Sequence, residues 1–424
     1  MNEPIFLHNE TQEFVIDENL AKVYPTISRT DLLKWLVSAP KKTYLRVNST
    51  TTSVKELFSE IIDQSNINIE IHNKLSDSVI VASSENKSNE DKTDLSENIV
   101  IVGSGCAASI LRGAEIFAPG VLGASPYLEK NDPVSVYADL SNKLLKGAIK
   151  FDITNYLYVG NGVANLSRSD LFKEGGIQSG VAVTMTSTFS RCSRLNDVKL
   201  EKLKSKYLMQ NLPSILTTIQ LEIQPNDRCL DLCAAPGGKT THIASLLGNE
   251  GSVLAFDKSK AKIDQIQAMA RRLGVAEKIT AKVQDATKYE LDCELFDKVL
   301  LDAPCSALGQ RPMLINSCTA KELKSFPKLQ RKLFEKAVEL VKPNGILVYS
   351  TCTITIEENE GLVNWALEKF KDRIQLCQTS PVLGQPGFNM YEEASKVQRF
   401  GPNEIESDND DSIGFFIAKF KKLK

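Results

Sequence analysis

Histidine is nearly absent from this sequence: 424 residues carry only His8, His72 and His242. They are far apart and offer no metal-ligand spacing, so no metal centre is expected. The nine cysteines are an odd number and include no C-x-x-C pair, which argues against a disulfide framework. Neither sign of charge dominates: 51 Lys and Arg face 53 Asp and Glu. No global field therefore announces nucleic acid, although a local basic patch could still bind it. No apolar run approaches a membrane span, and the first residues, M-N-E-P-I-F-L-H-N-E, lack a secretory pattern. A cytoplasmic protein with no membrane partner is expected, and a monomer. The length leaves room for two or three domains.

What is present centres on residues 228–242, R-C-L-D-L-C-A-A-P-G-G-K-T-T-H. An apolar run ends in a turn of small residues, and a helix is expected to open at Lys239 or Thr240. Strand, Gly-rich turn and helix form the nucleotide-gripping unit of α/β proteins. The P-loop pattern finds its second half in Gly238, Lys239 and Thr240, but Cys233 stands where its first glycine belongs. The dinucleotide pattern G-x-G-x-x-G also fails. Residues 252–257, S-V-L-A-F-D, end in Asp257, an acid about 20 residues past the turn, where a ribose hydroxyl is typically held. A nucleoside cofactor without a polyphosphate fits, and S-adenosylmethionine is the candidate. The rival P-loop NTPase would be told apart by which ligand raises the melting temperature.

The flanking chain reads as three regions. Residues 31–37 suggest a short helix, 43–48 a strand, and Ser53 with Glu56 a capping box. Residues 83–98 are polar and read as a linker. Short strand-like runs at 99–102, 114–121, 133–137 and 156–159, with turn residues between them, suggest a small β-barrel. A basic run follows: Arg191, Arg194, Lys199, Lys202, Lys204 and Lys206. Such a run is more often a solvated face than a phosphate-binding surface. From Cys229 onward strands and helices alternate. Strands are expected at 229–232, 253–256, 279–283, 298–301, 346–349 and 413–418, and helices at 260–273 and 328–341. This is a doubly wound sheet, whose ligands sit outside the carboxyl ends of its strands.

Chemistry-bearing residues fall at those ends: Asp257, Asp285, Asp302 with Cys305, and Cys352. One strand-end cysteine is usually a small buried hydrophobe. Two of them converging with an acid beside a cofactor turn suit one reaction. Carbon 5 of cytosine is too electron-poor to accept a methyl group directly. A thiolate added to carbon 6 makes carbon 5 nucleophilic, and an acid near ring nitrogen 3 favours the addition. The base must be unpaired or flipped out of its stack. Spacing alone does not say which cysteine attacks.

D-L-C-A-A-P-G-G-K-T at 231–240, D-A-P-C-S at 302–306 and Y-S-T-C-T at 349–353 resemble the motifs of the Sun-family RNA cytosine-5 methyltransferases. The resemblance implies a Rossmann-like catalytic domain over 213–424. It implies that Cys352 attacks carbon 6, Cys305 assists release and Asp302 holds the cytosine edge. It further implies that Cys233, Ala234, Ala235, Pro236, Gly237, Gly238, Lys239, Asp257, Asp285 and Asp302 bind S-adenosylmethionine. Ala307 stands where that family usually has glycine.

Residues 111–121, 131–136 and 160–162 resemble a PUA domain, a small RNA-binding barrel, over 99–190; Asn131 and Pro133 depart from its usual turn. L-R-V-N at 45–48 resembles the family's RRM-like region, expected over 1–98 and completed by 191–212. The PUA-bearing subgroup acts near the 3′ C-C-A of transfer RNA. RNA, most of all transfer RNA, is thus the implied partner, with ribosomal or messenger RNA as alternatives. Arg112 and the basic run Arg191 to Lys206 are the candidate RNA contacts.

Overall fold

The computed structural model describes residues 24, 27–64, 68–76, 78–83, 95–173, 176–177, 179–188, 202–291, 294–316, 318–402 and 411–424. Arg191, Arg194 and Lys199 lie outside the described residues.

The described residues form three sheets. In the first region α1 (Arg29–Val37) is followed by β1 (Lys42–Val47), α2 (Val54–Gln64), β2 (Ile69–Ile71) and β3 (Val79–Ser83). Ser28 caps α1, its side chain accepting from the Asp31 N–H. Ser53 and Glu56 form the reciprocal capping box expected for α2. The second region holds β4 (Ile99–Gly103), α3 (Ser104–Leu111), β5 (Ile116–Phe117), β6 (Val121–Ala124), β7 (Pro133–Asp139), β8 (Leu157–Ala164), α4 (Arg168–Phe172) and β9 (Val181–Thr188). Its six strands pair in the order β5-β9-β8-β7-β4-β6. Only the 3-10 turn Ala118–Gly120 separates the two edge strands, so the sheet curls until its edges approach each other. The expected strand at 114–121 is thus two short strands, because Pro119 cannot donate to a ladder.

β10 (Tyr207–Met209) returns to the first sheet and pairs with β1, giving the order β10-β1-β3-β2. The third region follows: α5 (Leu212–Ile219), β11 (Arg228–Asp231), α6 (Gly238–Leu246), β12 (Ser252–Asp257), α7 (Lys260–Arg272), β13 (Ile279–Val283), β14 (Phe296–Asp302), α8 (Ala320–Leu340), β15 (Val341–Thr351), α9 (Glu360–Lys369), β16 (Ile374–Cys377), β17 (Gln398–Phe400) and β18 (Phe415–Lys422). The sheet order is β13-β12-β11-β14-β15-β18-β16, with β17 paired to β18. β11 to β15 run parallel, and β18 inserts antiparallel beside β15. The order reverses at β11, which makes its carboxyl end the ligand crevice.

Helix α8 begins eight residues earlier than the 328 expected from the sequence. Thr319 and Glu322 build a capping box that starts it at Ala320, and the helix carries Pro327 inside. The expected strand at 346–349 extends to Val341–Thr351, and the closing strand is shifted to Phe415–Lys422.

Phe334 of α8 sits in an aromatic cluster of the sheet's core. Its fully buried ring meets Phe420 at 5.1 Å, Tyr349 at 6.2 Å and Trp365 and Phe370 at 6.3 Å. Edge-to-face aromatic packing adds to area burial here. Phe334→Ala should destabilise the protein by about 3–5 kcal/mol in urea unfolding, through lost transfer energy and the cavity left behind. A cost below about 1 kcal/mol would show that the surrounding rings collapse into the space.

Candidate active site

The turn after β11 is held from both sides. The Leu232 N–H donates to the Leu300 carbonyl and the Ala234 N–H to the Phe256 carbonyl. Gly237 caps α6 in the left-handed region, at φ +107°. A Cβ there would lie 3.2 Å from the Ile266 backbone, which adds to the left-handed strain and favours glycine. Beneath the turn Asp231 is buried and accepts from Thr240 Oγ1 at 2.7 Å and from the Cys233 N–H at 3.3 Å. Burial, with the Asp302 carboxylate adding, pushes its pKa up to about 7.

Arg46 of β1 reaches this turn from another sheet. Its buried guanidinium donates to the Gly238 carbonyl at 2.5 Å, to Gln210 Oε1 at 2.8 Å and to Thr241 Oγ1 at 3.1 Å. Asn48 donates to the Leu273 carbonyl at 2.8 Å. Arg46 therefore docks the first sheet on the cofactor turn, and Asn48 docks it on the end of α7. Their spacing in the sequence carried no sign of this, because their partners lie about two hundred positions away.

The two thiols meet. Cys305 Sγ and Cys352 Sγ are 3.4 Å apart, both half-buried. The hydrogen bond from Cys305, helped by Gln310, lowers the Cys352 pKa against the effect of burial. The same contact and burial raise that of Cys305. The two directions are opposite, so the contact favours charge on Cys352 over Cys305. Asp302 stands beside them. Its Oδ2 accepts from Lys239 Nζ at 2.7 Å and its Oδ1 from Ser350 Oγ at 2.7 Å. Ala307, at the expected glycine position, adopts φ +57°, a left-handed conformation that explains why glycine suits that turn.

Asp302, Cys352, Cys233, Lys239 and Arg112 share one cavity of about 670 Å³. All three sheet regions contribute to its walls. Ala234, Ala235, Pro236 and Gly238 line its cofactor side. Asp257 ends β12 and Asp285 follows β13 by two residues; neither lines the cavity itself. Asp257 accepts from the Ser259 N–H, and Asp285 accepts from Thr287 and pairs with Lys258 at 3.2 Å. Acids on consecutive strand ends beside a turn with no phosphate cradle fit an adenosyl cofactor. Of the basic candidates, Arg112 is exposed on the cavity rim, Lys202 and Lys204 are exposed, and Lys206 pairs with Glu60 at 2.6 Å.

Sequence reasoning missed Glu358, Asn359 and Glu360, all fully buried next to the thiol loops. Three consecutive polar residues before a helix read as an ordinary exposed N-terminus.

Fold and site define a Rossmann-like, S-adenosylmethionine-dependent methyltransferase. Residues 218–421 match Methyltr_RsmB-F, the 16S rRNA methyltransferase RsmB/F family. The chain is 38% identical to the tRNA (cytosine(72)-C(5))-methyltransferase NSUN6 of Homo sapiens, over 93% of this chain and 91% of that protein. It is 36% identical to the tRNA (cytosine(72)-C(5))-methyltransferase of Pyrococcus horikoshii, over 77% and 76%. The crystal structure of NSun6 from Pyrococcus horikoshii with SFG superposes at TM-score 0.78, covering 98% of both chains at 32% identity. The chain belongs to the Sun family of RNA cytosine-C(5) methyltransferases, alongside the NSUN6 proteins.

Asp231 supplies a pH test. Its folded pKa, about 7, lies above its ordinary value of 3.8, so the folded state binds more protons between those values. Its contribution to stability is full below the lower value and is lost as pH rises through about 7. Asp231→Asn should flatten the pH dependence of unfolding free energy across that window in cofactor-free protein. Parallel curves for variant and wild type would mean that Asp231 is ionised throughout.

Proposed function

We propose that this protein uses S-adenosylmethionine to methylate carbon 5 of a cytosine at the acceptor end of transfer RNA. The carrying observation is the 3.4 Å contact of Cys305 with Cys352, whose thiol shares a cavity with Asp302. Nearly full-length similarity to enzymes named for cytosine 72 supports the corresponding nucleotide as target. In this reading residues 213–424 are the catalytic domain, 99–190 a PUA RNA-binding domain, and 1–98 with 191–212 an RRM-like domain. The curled six-stranded sheet and the placement of Arg112 on the cavity rim support RNA docking there. Lys202 and Lys204, with Arg191, Arg194 and Lys199, would extend the phosphate-binding face, and Lys206 shares its charge with Glu60. A catalytic thiol pair needs a reducing compartment, which supports the cytoplasm.

The steps follow from the side chains. Cys352 thiolate adds to carbon 6 of the flipped cytosine, and the ring π electrons move to carbon 5. Asp302, fixed by Lys239 and Ser350, holds the base edge at ring nitrogen 3 and the exocyclic amine. S-adenosylmethionine, held by residues 233–239 with Asp257 and Asp285, supplies an electrophilic methyl group. Removal of the carbon 5 proton, assisted by Cys305, reforms the double bond and expels the Cys352 thiolate.

The thiol roles are separable. Cys305→Ala should accumulate a protein–RNA adduct stable in denaturing gels. Cys352→Ala should give neither adduct nor 5-methylcytosine, and the double variant should resemble it. An adduct in Cys352→Ala alone would reverse the assignment. For the cofactor, Asp257→Ala should raise the dissociation constant of S-adenosylmethionine about 10-fold, measured by calorimetry. Unchanged affinity would remove Asp257 from the site.

A further inference from the structure

Glu358 is fully buried, and among the described residues no lysine or arginine pairs with it. Four donors converge on its carboxylate instead. Oε1 accepts from Ser306 Oγ at 2.5 Å and from Thr355 Oγ1 at 2.9 Å. Oε2 accepts from the Ser306 N–H at 3.0 Å and from Gln330 Nε2 at 2.8 Å. These donors come from the residue after Cys305, from the loop three residues past Cys352, and from α8. Ser306 Oγ also meets Thr353 Oγ1 at 2.8 Å, and Gln330 holds the Pro304 carbonyl at 2.9 Å. Below, Tyr349 donates to the Glu358 carbonyl at 2.6 Å, tying the residue to β15.

A buried carboxylate without a cation is costly unless its lone pairs are filled. A carboxylate accepts only, so four donors can meet it without conflict. We infer that Glu358 is a positioning residue that clamps the Cys305 turn onto the strand end bearing Cys352 and so sets the contact between the two thiols. This rests on the reading of Cys352 as nucleophile. Both donors of Ser306 end on this one side chain, so the turn carrying Cys305 has little freedom while Glu358 is in place. Without the clamp the Cys305 thiol drifts from Cys352, and the thiolate loses its hydrogen bond. The other charged or titratable groups facing the thiols are Lys239, Asp302 and Tyr349.

The test is alkylation of Cys352 by iodoacetamide in the full-length protein without RNA or cofactor, followed by peptide mass spectrometry from pH 5.5 to about 9. Glu358→Ala should raise the midpoint by about one pH unit, slowing alkylation near neutrality about ten-fold. It should lower kcat and leave KM for transfer RNA unchanged. Ser306→Ala removes one donor from the turn and should slow alkylation about three-fold, which decides the matter if Glu358→Ala does not fold. Glu358→Gln should restore the wild-type midpoint. Its carbonyl can accept from the Ser306 N–H, and the two hydroxyls can turn to accept from its amide. Midpoints unmoved in every folded variant, with only the melting temperature reduced, would overturn the clamp. Shifted midpoints in a protein that makes no 5-methylcytosine would overturn the functional reading and leave the clamp standing.

Discussion

Parallel pairing of β14 with β15 sets the distance on which the site depends. Leu301 pairs with Tyr349 and Asp302 with Ser350. Cys305 and Cys352 follow within three residues of those pairs, so the register delivers both thiols to one edge. A one-residue slip would turn each side chain to the opposite face of the sheet and separate the acid from the thiols. The bond from Ser350 to Asp302 runs across the same register pair and locks the carboxylate where Lys239 can reach it. Asp302 and the two thiols therefore converge at one edge of the sheet.

The surrounding loops are pinned by buried polar groups rather than by regular structure. Arg311, after the Ala307 turn, donates to the Trp35 carbonyl at 2.7 Å, to Ser38 Oγ at 2.7 Å, to the Ser412 carbonyl at 2.8 Å and to Asp411 at 2.5 Å. Its guanidinium also stacks on the Trp35 ring at 4.4 Å. Arg399 and the buried Glu360 form a two-bond pair just past Glu358 in the chain. Breaking one partner of such a pair leaves an uncompensated buried charge, which is why these loops keep one geometry. Arg46 and Arg311 both span regions far apart in the chain. The cavity is consequently assembled from three sheets and depends on their docking.

Much of this was legible in the sequence. The strand at 229–232 and its small-residue turn were readable because period, glycines and helix start agree locally. Asp302, Cys305 and Cys352 could be placed together because strand ends of a doubly wound sheet share one edge. The capping box at Ser53 and Glu56 needed only four residues to be recognised. The start of α8 was placed eight residues late: the capping box of Thr319 and Glu322 determines it, and Pro327 is accommodated inside the helix. Lys206 looked like one of a free basic run until Glu60, 146 positions away, was found against it.

The division follows range. By itself the sequence determined the alternation of strands and helices and the small-residue turn after β11, since each rests on contacts within a few residues. Only the tertiary structure decided that Arg46 grips the cofactor turn, that Glu358 holds the thiol loops and that Cys352 rather than Cys305 carries the lowered pKa. Burial and hydrogen-bond partners govern those properties, and both are supplied by chain segments that meet only after folding.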